Sequence, residues 1–369
     1  MNERAPRLLF VPVSGAFGMG EYARSLAIAQ GAQGRWPGAA IQFILSRQAP
    51  YAATAPYPAT LLAASPTFHS AEVIEVMKNW RPDVVIFDNA GRTAQLRAAR
   101  RLGASVVYIS ARRRQRNKAF RLRWMRLIDE HWIAYPKFIA GDLGLIERLK
   151  LKFMRRPAVR YLDVILARGY GSGSGSERDS LLARMGLALD GYVLVVPGGG
   201  TGHPGAGDAV QQFLHAAREL AAAGIATVFV GQPRLAPADA GAPGAAAPAA
   251  GALLRMLGPL PQPDLAELMR GARLIIANGG STLLQSIACG RPCLAVPIAG
   301  DQGERICRCV SAGVAVAAPL DSAAICGAAM KLLRNEGNLG ALAGRTLALG
   351  LADGVDVALR AMSTLIEAK

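Results

Sequence analysis

The chain has 369 residues, of which 51% are hydrophobic, and a formal net charge of +16. This length and apolar content suit two folded domains and exclude an intrinsically disordered protein. No charged leader with an apolar run precedes Leu8 and no uncharged apolar run reaches about 18 residues, so we expect neither secretion nor a membrane span.

The first half of the chain alternates predicted strands and helices. Strands are predicted at residues 8–13 and 41–45, within RPDVVIFDNAG (81–91) with its end at Asp88, and at 105–110; helices are predicted after Gly20, at 71–80 and at 94–102. This alternation predicts a parallel sheet, in which polar residues at the carboxyl ends of strands gather at one edge. Glu21 follows the first strand and Asp88 ends a later one, so we expect the two carboxylates to converge.

The excess positive charge lies entirely in the first half. Residues 1–168 hold 27 Lys and Arg against 11 Asp and Glu, whereas the remainder holds 15 of each. Eight cations lie between Arg112 and Arg126, interleaved with apolar residues, and a second basic run spans 148–160. Such segments suit an anionic membrane surface or an anionic acceptor, and a solvated arginine-rich face is the alternative. Nucleic acid is not expected, because no recognised binding motif accompanies the charge.

The composition of residues 169–179, GYGSGSGSERD, is typical of a flexible linker, natural or introduced. We therefore predict an N-terminal domain at 1–168 and a C-terminal domain at 180–369. In the second domain, strands are predicted at 192–196 and 226–230, a low-complexity insertion at 235–252, and closing helices at 322–334, 341–349 and 355–367. Five cysteines without paired spacing indicate reduced thiols and not a zinc site or a disulfide framework.

The most specific pattern is the stretch LIIANGGSTLLQSIACGRPCLAVPIAGDQ, at residues 274–302. Its apolar start predicts a buried strand that ends in an Asn-Gly-Gly turn. Ser281 and Thr282 open a predicted helix with a hydroxyl cap, and residues 293–296 form the next strand. A glycine turn into a helix N-terminus presents unpaired N–H groups and a partial positive charge, so this turn is a candidate phosphate site.

The order of motifs in and before this stretch resembles the donor-binding half of GT-B glycosyltransferases, a group that includes the UDP-glycosyltransferases and the GlcNAc transferase of peptidoglycan lipid synthesis. Their signature runs from a Pro-Gln pair, through G-x-[ST]-[ST]-x-x-E and G-x-P, to P-x-x-x-D-Q. The corresponding segments here are Pro261-Gln262, GGSTLLQ, Gly290-Arg291-Pro292 and PIAGDQ. The resemblance covers about 45 residues. It implies an α/β fold of two Rossmann-like domains whose parallel sheets face a cleft, with the last helix packed back on the N-terminal domain.

The resemblance also implies a nucleotide-sugar as co-substrate, with no further cofactor. The residues that it assigns to donor binding are Gly199, Gly200, Gln262, Gly279, Gly280, Ser281, Thr282, Gln285, Asp301 and Gln302. In the family, the glycines and hydroxyls hold the diphosphate, the Pro-Gln loop borders the base, and the Asp-Gln pair binds the sugar. Gln285 replaces the Glu that binds the ribose, so a hydrogen bond is kept but its charge assistance is lost. No D-x-D metal pattern is present, and the helix dipole and hydroxyls would stabilise the leaving diphosphate.

The first glycine loop, SGAFGMGE, has the spacing G-x-x-G-x-G, which does not fit the dinucleotide pattern G-x-G-x-x-G. It is similar to the family's G-x-G-H-x-x-R loop, whose histidine lies beside the acceptor, but Glu21 occupies the histidine position. Glu21 is therefore a candidate general base or a residue that only positions the acceptor. In plant-type relatives an Asp at the position of Asp88 orients that histidine; a polar strand end without a catalytic part is the alternative.

These features predict a metal-independent glycosyltransferase that moves a hexosyl group from a nucleoside diphosphate sugar, expected to be a UDP-sugar, to a small-molecule or lipid-linked acceptor. Two other classes remain open. One is a nucleotide-sugar hydrolase or 2-epimerase on the same fold, and the other is a non-catalytic nucleotide-sugar-binding subunit, which the loss of the histidine favours. We expect a cytoplasmic protein, peripheral at the inner face of the cell membrane through its basic N-terminal domain.

Overall fold

The computed structural model describes residues 5–16, 18–166, 175–198, 209–231, 253–300 and 302–368. The chain divides into two compact units: unit 1 is Met1–Gly169 together with Ala352–Lys369, and unit 2 is Tyr170–Leu351. Most of the predicted linker and the whole low-complexity insertion lie outside the described residues. No helix in the described ranges is both long and apolar enough to cross a membrane.

Unit 1 is built on a seven-stranded sheet in which all neighbouring strands are parallel. The strands are β1 (Arg7–Pro12), β2 (Ala40–Ser46), β3 (Ala59–Leu62), β4 (Val84–Asp88), β5 (Ser105–Ser110), β6 (Glu130–Ile133) and β7 (Ala158–Tyr161). Their order across the sheet is β3-β2-β1-β4-β5-β6-β7. Because Pro12 pairs with Asp88, the loop after β1 begins beside the carboxyl end of β4.

Both faces of this sheet are buried, which explains the continuous apolar strands. The helices that accompany them are α1 (Gly20–Arg35), α2 (Ser70–Trp80), α3 (Thr93–Arg101), α4 (Arg113–Ala119), α5 (Leu122–Met125), α6 (Lys137–Ala140) and α7 (Leu145–Met154). In β1, Leu8 and Phe10 pack into one core and Leu9 and Val11 into another, since successive side chains of a strand point to opposite faces.

Unit 2 contains a six-stranded parallel sheet in the order β10-β9-β8-β11-β12-β13. Its elements in chain order are α8 (Gly175–Arg184), β8 (Val193–Val196), α9 (Ala209–Ala222), β9 (Thr227–Val230), β10 (Leu254–Leu257), α10 (Gln262–Gly271), β11 (Leu274–Asn278), α11 (Ser281–Ala288), β12 (Cys293–Val296), α12 (Gln302–Ser311), β13 (Val316–Ala317), α13 (Ser322–Leu333) and α14 (Glu336–Ala348). The central strands β8 and β11 lie side by side, so the loops after them are neighbours.

The last helix, α15 (Gly354–Glu367), belongs to unit 1. The N–H of Ala352 donates to Oδ2 of Asp163 over 2.9 Å as the chain enters it. A Cβ on Gly354 would lie 2.1 Å from the carbonyl oxygen of Leu162, so the approach of the two segments requires glycine. Side chains of α15 that join the core with Leu8 and Phe10 are Ala358, Ala361 and Met362.

The prediction of an α/β protein with parallel sheets is confirmed. Strands β3, β6, β7, β10 and β13 were not predicted; all have four residues or fewer and lie at or next to the edge of a sheet. The helix predicted at 341–349 begins earlier, at Glu336, because the side chain of Asn335 caps it by accepting from the Asn338 N–H (3.0 Å).

Candidate functional site

The turn between β11 and α11 is organised by the buried side chain of Asn278. Its Nδ2 donates to the carbonyl oxygen of Pro197, just after β8, over 2.9 Å. Its Oδ1 accepts from the N–H of Gly280, also over 2.9 Å. Both polar ends of the amide are therefore used within the protein, and Asn278 sets the path of the turn.

The glycines near Asn278 are required by packing within unit 2. A Cβ on Gly198 would lie 2.0 Å from Nδ2 of Asn278, and a Cβ on Gly280 would lie 2.8 Å from its Oδ1. A Cβ on Gly279 would lie 2.7 Å from Cδ1 of Ile306. Any side chain at these positions displaces the turn itself, whether or not a phosphate lies against it.

The hydroxyl cap predicted for α11 is wrong. The N-cap residue is Gly280, which has no side chain to accept a hydrogen bond from the first turn of this helix. Ser281 is the exposed first residue of the helix, whereas Thr282 is buried. The N–H groups of the first turn consequently have no side-chain acceptor in unit 2 as described, which is the condition under which a helix N-terminus binds an anion.

Gln302, at the start of α12, braces the same turn. Its Oε1 accepts from the N–H of Gly279 (3.1 Å) and from the N–H of Ile298 (2.9 Å), and its side chain is buried. The sequence prediction gave Gln302 a contact with sugar hydroxyls. The structure commits its oxygen to the backbone, so that only the Nε2 end is left for such a contact.

Arg305 is a cation beside this turn that the sequence analysis did not identify. It lies on α12, one turn after Gln302, and its guanidinium donates to the carbonyl oxygen of Gly279. Its position three residues after the Asp-Gln pair puts it on the same side of the helix as Gln302. A guanidinium that contacts this turn adds to the positive potential beside the N-terminus of α11.

Gln262 and Gln285, two residues predicted to contact the nucleoside, lie together. Nε2 of Gln285 donates to Oε1 of Gln262 over 3.2 Å, at the surface. Gln285 lies one turn after Ser281, so both belong to one side of α11. The structure therefore joins the start of α10 to the helix that follows the glycine turn. Gly199, Gly200 and Asp301, the other residues assigned to donor binding, lie outside the described residues.

In unit 1, Asp88 forms a buried ion pair with Arg24 of α1. Nε and Nη2 of Arg24 donate to the two carboxylate oxygens over 2.8 and 2.7 Å, and the side chain of Asp88 is fully buried. Burial raises the pKa of Asp88 to about 6, against the opposing charge and hydrogen bonds of Arg24. Burial would lower the pKa of Arg24, but the charge and hydrogen bonds of Asp88 outweigh it and raise that pKa. The pair is therefore ionised at neutral pH.

Glu21 is held by a different residue, Asn89. Nδ2 of Asn89 donates to Oε1 of Glu21 over 2.8 Å, and Oδ1 of Asn89 accepts from the N–H of Ala111 over 2.9 Å. Asn89 has a positive φ of 52°, a conformation that asparagine tolerates better than most residues. The sheet thus brings Glu21 and Asp88 to one edge, but the carboxylate of Asp88 binds Arg24 and does not orient Glu21.

Among the described residues, no group of three or more His, Cys, Asp and Glu side chains is arranged to hold a metal ion. No protein-family model matches the chain, and no curated protein matches it in sequence.

Solved structures with a similar fold are numerous. The glycosyltransferase SnogD from Streptomyces nogalater matches with a TM-score of 0.62 and 17% identity, over 98% of this chain and 100% of that one. The spinosyn rhamnosyltransferase SpnG, complexed with thymidine diphosphate, matches with a TM-score of 0.60 and 15% identity, over 97% and 100%. A UDP-N-acetylglucosamine 2-epimerase matches with a TM-score of 0.55 and 14% identity, over 97% and 94%. The chain therefore has the GT-B fold.

Proposed function

We propose that this protein is a glycosyltransferase that moves a sugar from a nucleoside diphosphate sugar to an acceptor hydroxyl, with a UDP-sugar as the expected donor. The observation that carries the proposal is the first turn of α11, whose N–H groups have no side-chain cap in the described part of unit 2. This turn lies on the segment whose motifs match the donor-binding signature. The GT-B fold of SnogD and SpnG supports the same assignment.

The diphosphate of the donor would lie against this helix N-terminus. The N–H groups of the first turn and the hydroxyl of Ser281 donate to phosphate oxygens, and Arg305 contributes positive charge from α12. When the sugar leaves, negative charge develops on the diphosphate, and these groups are already oriented towards it. This arrangement supplies the electrostatic stabilisation without a metal, so we expect turnover to persist in EDTA. Gly199, Gly200 and Asp301 remain proposed contacts on the motif alone.

The nucleoside would lie at the Gln262–Gln285 pair. Each amide has both a donor and an acceptor, so the pair can exchange its mutual hydrogen bond of 3.2 Å for bonds to ribose hydroxyls or to a base edge. Thymidine diphosphate bound by SpnG has no 2′-hydroxyl, whereas UDP has one. Because thymidine also carries a 5-methyl group on its base, the contact of Gln285 with the ribose is tested by comparing UDP with 2′-deoxyuridine diphosphate, in the wild type and in Gln285→Ala.

Glu21 is the proposed acceptor-side residue. Asn89 holds one carboxylate oxygen, which leaves Oε2 able to face an acceptor hydroxyl. The carboxylate either takes the proton of that hydroxyl as a general base or only positions the acceptor, and both roles need the orientation that Asn89 provides. Asp88 contributes by holding Arg24, the residue one turn after Glu21 on α1, and not by contacting the acceptor.

A 2-epimerase is the second candidate, because a UDP-N-acetylglucosamine 2-epimerase shares the fold over nearly the whole chain. A nucleotide-sugar hydrolase would use water in place of the acceptor, and a binding subunit would keep the donor site without turnover.

For the transferase, the acceptor is proposed to be anionic or lipid-linked, since the excess positive charge lies in the half of the sequence that forms most of unit 1. A cytoplasmic location, peripheral at the inner face of the membrane, is part of the same proposal.

The test begins with thermal shifts against a panel of nucleoside diphosphates and their sugars, because a ligand raises the stability by RT ln(1 + [L]/Kd). The best donor is then incubated alone and with candidate acceptors, and the products are separated. Transfer requires a glycosylated product that forms only with an acceptor. Stoichiometric free sugar without acceptor would make the protein a hydrolase, a changed sugar on the intact nucleotide would make it an epimerase, and tight binding without turnover would make it a binding subunit.

A further inference from the structure

Helix α7 (Leu145–Met154) turns its apolar side chains away from the body of unit 1. None of its ten residues is buried. Leu145, Ile146, Leu149 and Phe153 are 83%, 69%, 52% and 77% exposed, and the residues of intermediate exposure are Glu147, Lys150, Leu151 and Met154. At 3.6 residues per turn the four exposed apolar residues fall within an arc of about 100°. They form one outward-facing row, here called the apolar stripe.

The orientation of α7 is set by a polar contact on its inner side. Oε1 and Oε2 of Glu147 accept from Nε and Nη2 of Arg116 over 3.2 and 2.7 Å. The guanidinium of Arg116 is buried and also donates to the carbonyl oxygens of Ala140, Gly141 and Asp142. A buried guanidinium with this many acceptors is costly to disrupt. The helix therefore cannot rotate to bury the apolar stripe without breaking this cluster.

Cations border the apolar stripe on both sides. On a helical projection, Arg148 and Lys152 lie next to Leu145, and Lys150 lies next to Ile146 on the other side. Nζ of Lys150 also donates to the Phe120 carbonyl oxygen over 3.1 Å. Within the described ranges, no ion pair involves Arg148, Lys152 or Arg155, the residue that follows α7. Apolar side chains that point outward between cations are the arrangement of a helix that lies in a membrane interface.

We propose that α7 docks unit 1 on an anionic lipid bilayer, with the apolar stripe inserted among the acyl chains near the headgroups and the flanking cations on lipid phosphates. The positive charge beside the apolar stripe favours an anionic bilayer over a second copy of the chain as the binding partner. A second copy of the chain would bring two sets of unpaired cations together, whereas an anionic bilayer offers negative charge and an apolar phase to the same face. Nucleic acid would satisfy the cations but would leave the stripe in water. Docking by α7 specifies the surface behind the proposed peripheral location, and its test does not require that the protein transfer a sugar.

The test measures binding of the full chain to vesicles by co-sedimentation at low salt, using phosphatidylcholine with and without about 30 mol% phosphatidylglycerol. We expect binding to the anionic vesicles and little to the neutral ones. The double variant Ile146→Ser with Phe153→Ser should lower the partition coefficient at least about tenfold, because two large side chains no longer enter the apolar phase. Arg148→Gln with Lys152→Gln should weaken binding and reduce its dependence on salt.

The chain offers matched controls for the stripe. Phe68 is 74% exposed in unit 1 and Leu347 is 69% exposed in unit 2. Phe68→Ser with Leu347→Ser removes the same kind of exposed surface, and it should leave vesicle binding unchanged. The proposal is overturned if the wild type does not bind anionic vesicles, if the control loses as much binding as the stripe variant, or if only the charge variant lowers vesicle binding. It is also overturned if the stripe variant abolishes a dimer, seen by light scattering, and not vesicle binding.

Discussion

The side-chain amide of Asn89 donates a hydrogen bond to Oε1 of Glu21 over 2.8 Å. Asn89 follows β4 and Glu21 lies in the first turn of α1, so the bond joins the loops after two adjacent strands. It holds the carboxylate in one orientation before any acceptor binds. A preorganised group of this kind is what a general base or an acceptor-positioning residue needs.

Glu21→Gln separates these two roles. The substitution keeps the shape of the side chain but removes the base, so kcat should fall by roughly 10²- to 10⁴-fold if Glu21 takes the acceptor proton. Donor affinity, measured by calorimetry, should not change. A kcat close to that of the wild type, with only a higher acceptor KM, would make Glu21 a positioning residue.

Asn89→Asp tests the same prediction through the pH profile. It retains an acceptor for the Ala111 N–H but replaces the donor to Glu21 with a second carboxylate, which disfavours the ionised base. The acidic limb of the kcat profile should move to higher pH. Asn89→Gly is the control, because glycine accepts the positive φ and adds no charge. An acidic limb that stays in place in a folded Asn89→Asp protein argues against the base.

Asp88→Asn should destabilise unit 1. The change leaves the buried guanidinium of Arg24 without its counter-charge, and breaking a buried pair in this way costs roughly 3–5 kcal/mol of unfolding free energy. Glu304→Gln is the control, since its partner Arg308 and Glu304 itself are exposed and such a pair contributes at most about 1 kcal/mol. The unfolding free energies of both variants are measured by denaturant titration. Equal effects would mean that Asp88 is not a structural partner of Arg24 and is free for another role.

His131 makes the stability of unit 1 sensitive to acid. The ring is fully buried on β6 with Nε2 2.8 Å from Oγ of Ser110, and burial, with a smaller contribution from the charge of Arg116, lowers its pKa to about 3. The unfolded chain binds this proton near pH 6.5 and the folded chain does not. The contribution of neutral His131 is therefore complete above pH 6.5 and is lost as the pH falls towards 3.

The pH dependence is isolated by comparison with His131→Asn, which cannot titrate. Between pH 7.5 and 5 the unfolding free energy of the wild type should fall by roughly 2 kcal/mol more than that of the variant. The opposite effect of Asp88, whose raised pKa favours the folded state in acid, is common to both proteins and cancels. Parallel curves for the two proteins would show that His131 is protonated in the folded state.

Arg305→Met should weaken binding of a nucleoside diphosphate by about tenfold or more, because a charge-assisted contribution beside the helix N-terminus is lost. Arg308→Gln is the matched control: it removes the same charge from the same helix at a residue paired with Glu304. Calorimetry with UDP compares the variants. Equal losses would mean that the long-range charge of α12 matters and that the position of Arg305 beside Gly279 does not.

The sequence predicted the parts of this structure that depend on local patterns. The strand that ends in Asn278, the helix that begins at Ser281 and the parallel order of the elements all follow from short apolar runs and glycine positions. The hydrogen bonds that hold the turn were not predictable in this way. Asn278 meets Pro197, 81 residues earlier, and no spacing rule links the two positions.

The same limit explains the residues that sequence analysis missed. Arg305 contacts the turn because the fold brings α12 next to Gly279. Asn89 contacts Glu21 because β1 and β4 are neighbours in the sheet. The sequence left open whether Asp88 orients the residue at position 21 or is only a polar strand end; its carboxylate pairs with Arg24, one turn further along α1. On α7, the sequence showed cations among apolar residues, whereas the Glu147–Arg116 contact decides which side faces outward.

Binding of the donor diphosphate at the first turn of α11 is tested by Ser281→Asp, with Ser281→Asn as its neutral control. Ser281 is exposed, and an acidic residue in the first turn of a helix is stabilising, so the melting temperature should not fall. The carboxylate should occupy the same N–H groups and repel phosphate, and calorimetry with UDP and with thymidine diphosphate should show at least about a tenfold loss of affinity in Ser281→Asp only. Wild-type affinity in a folded Ser281→Asp protein would show that the diphosphate does not bind at this turn.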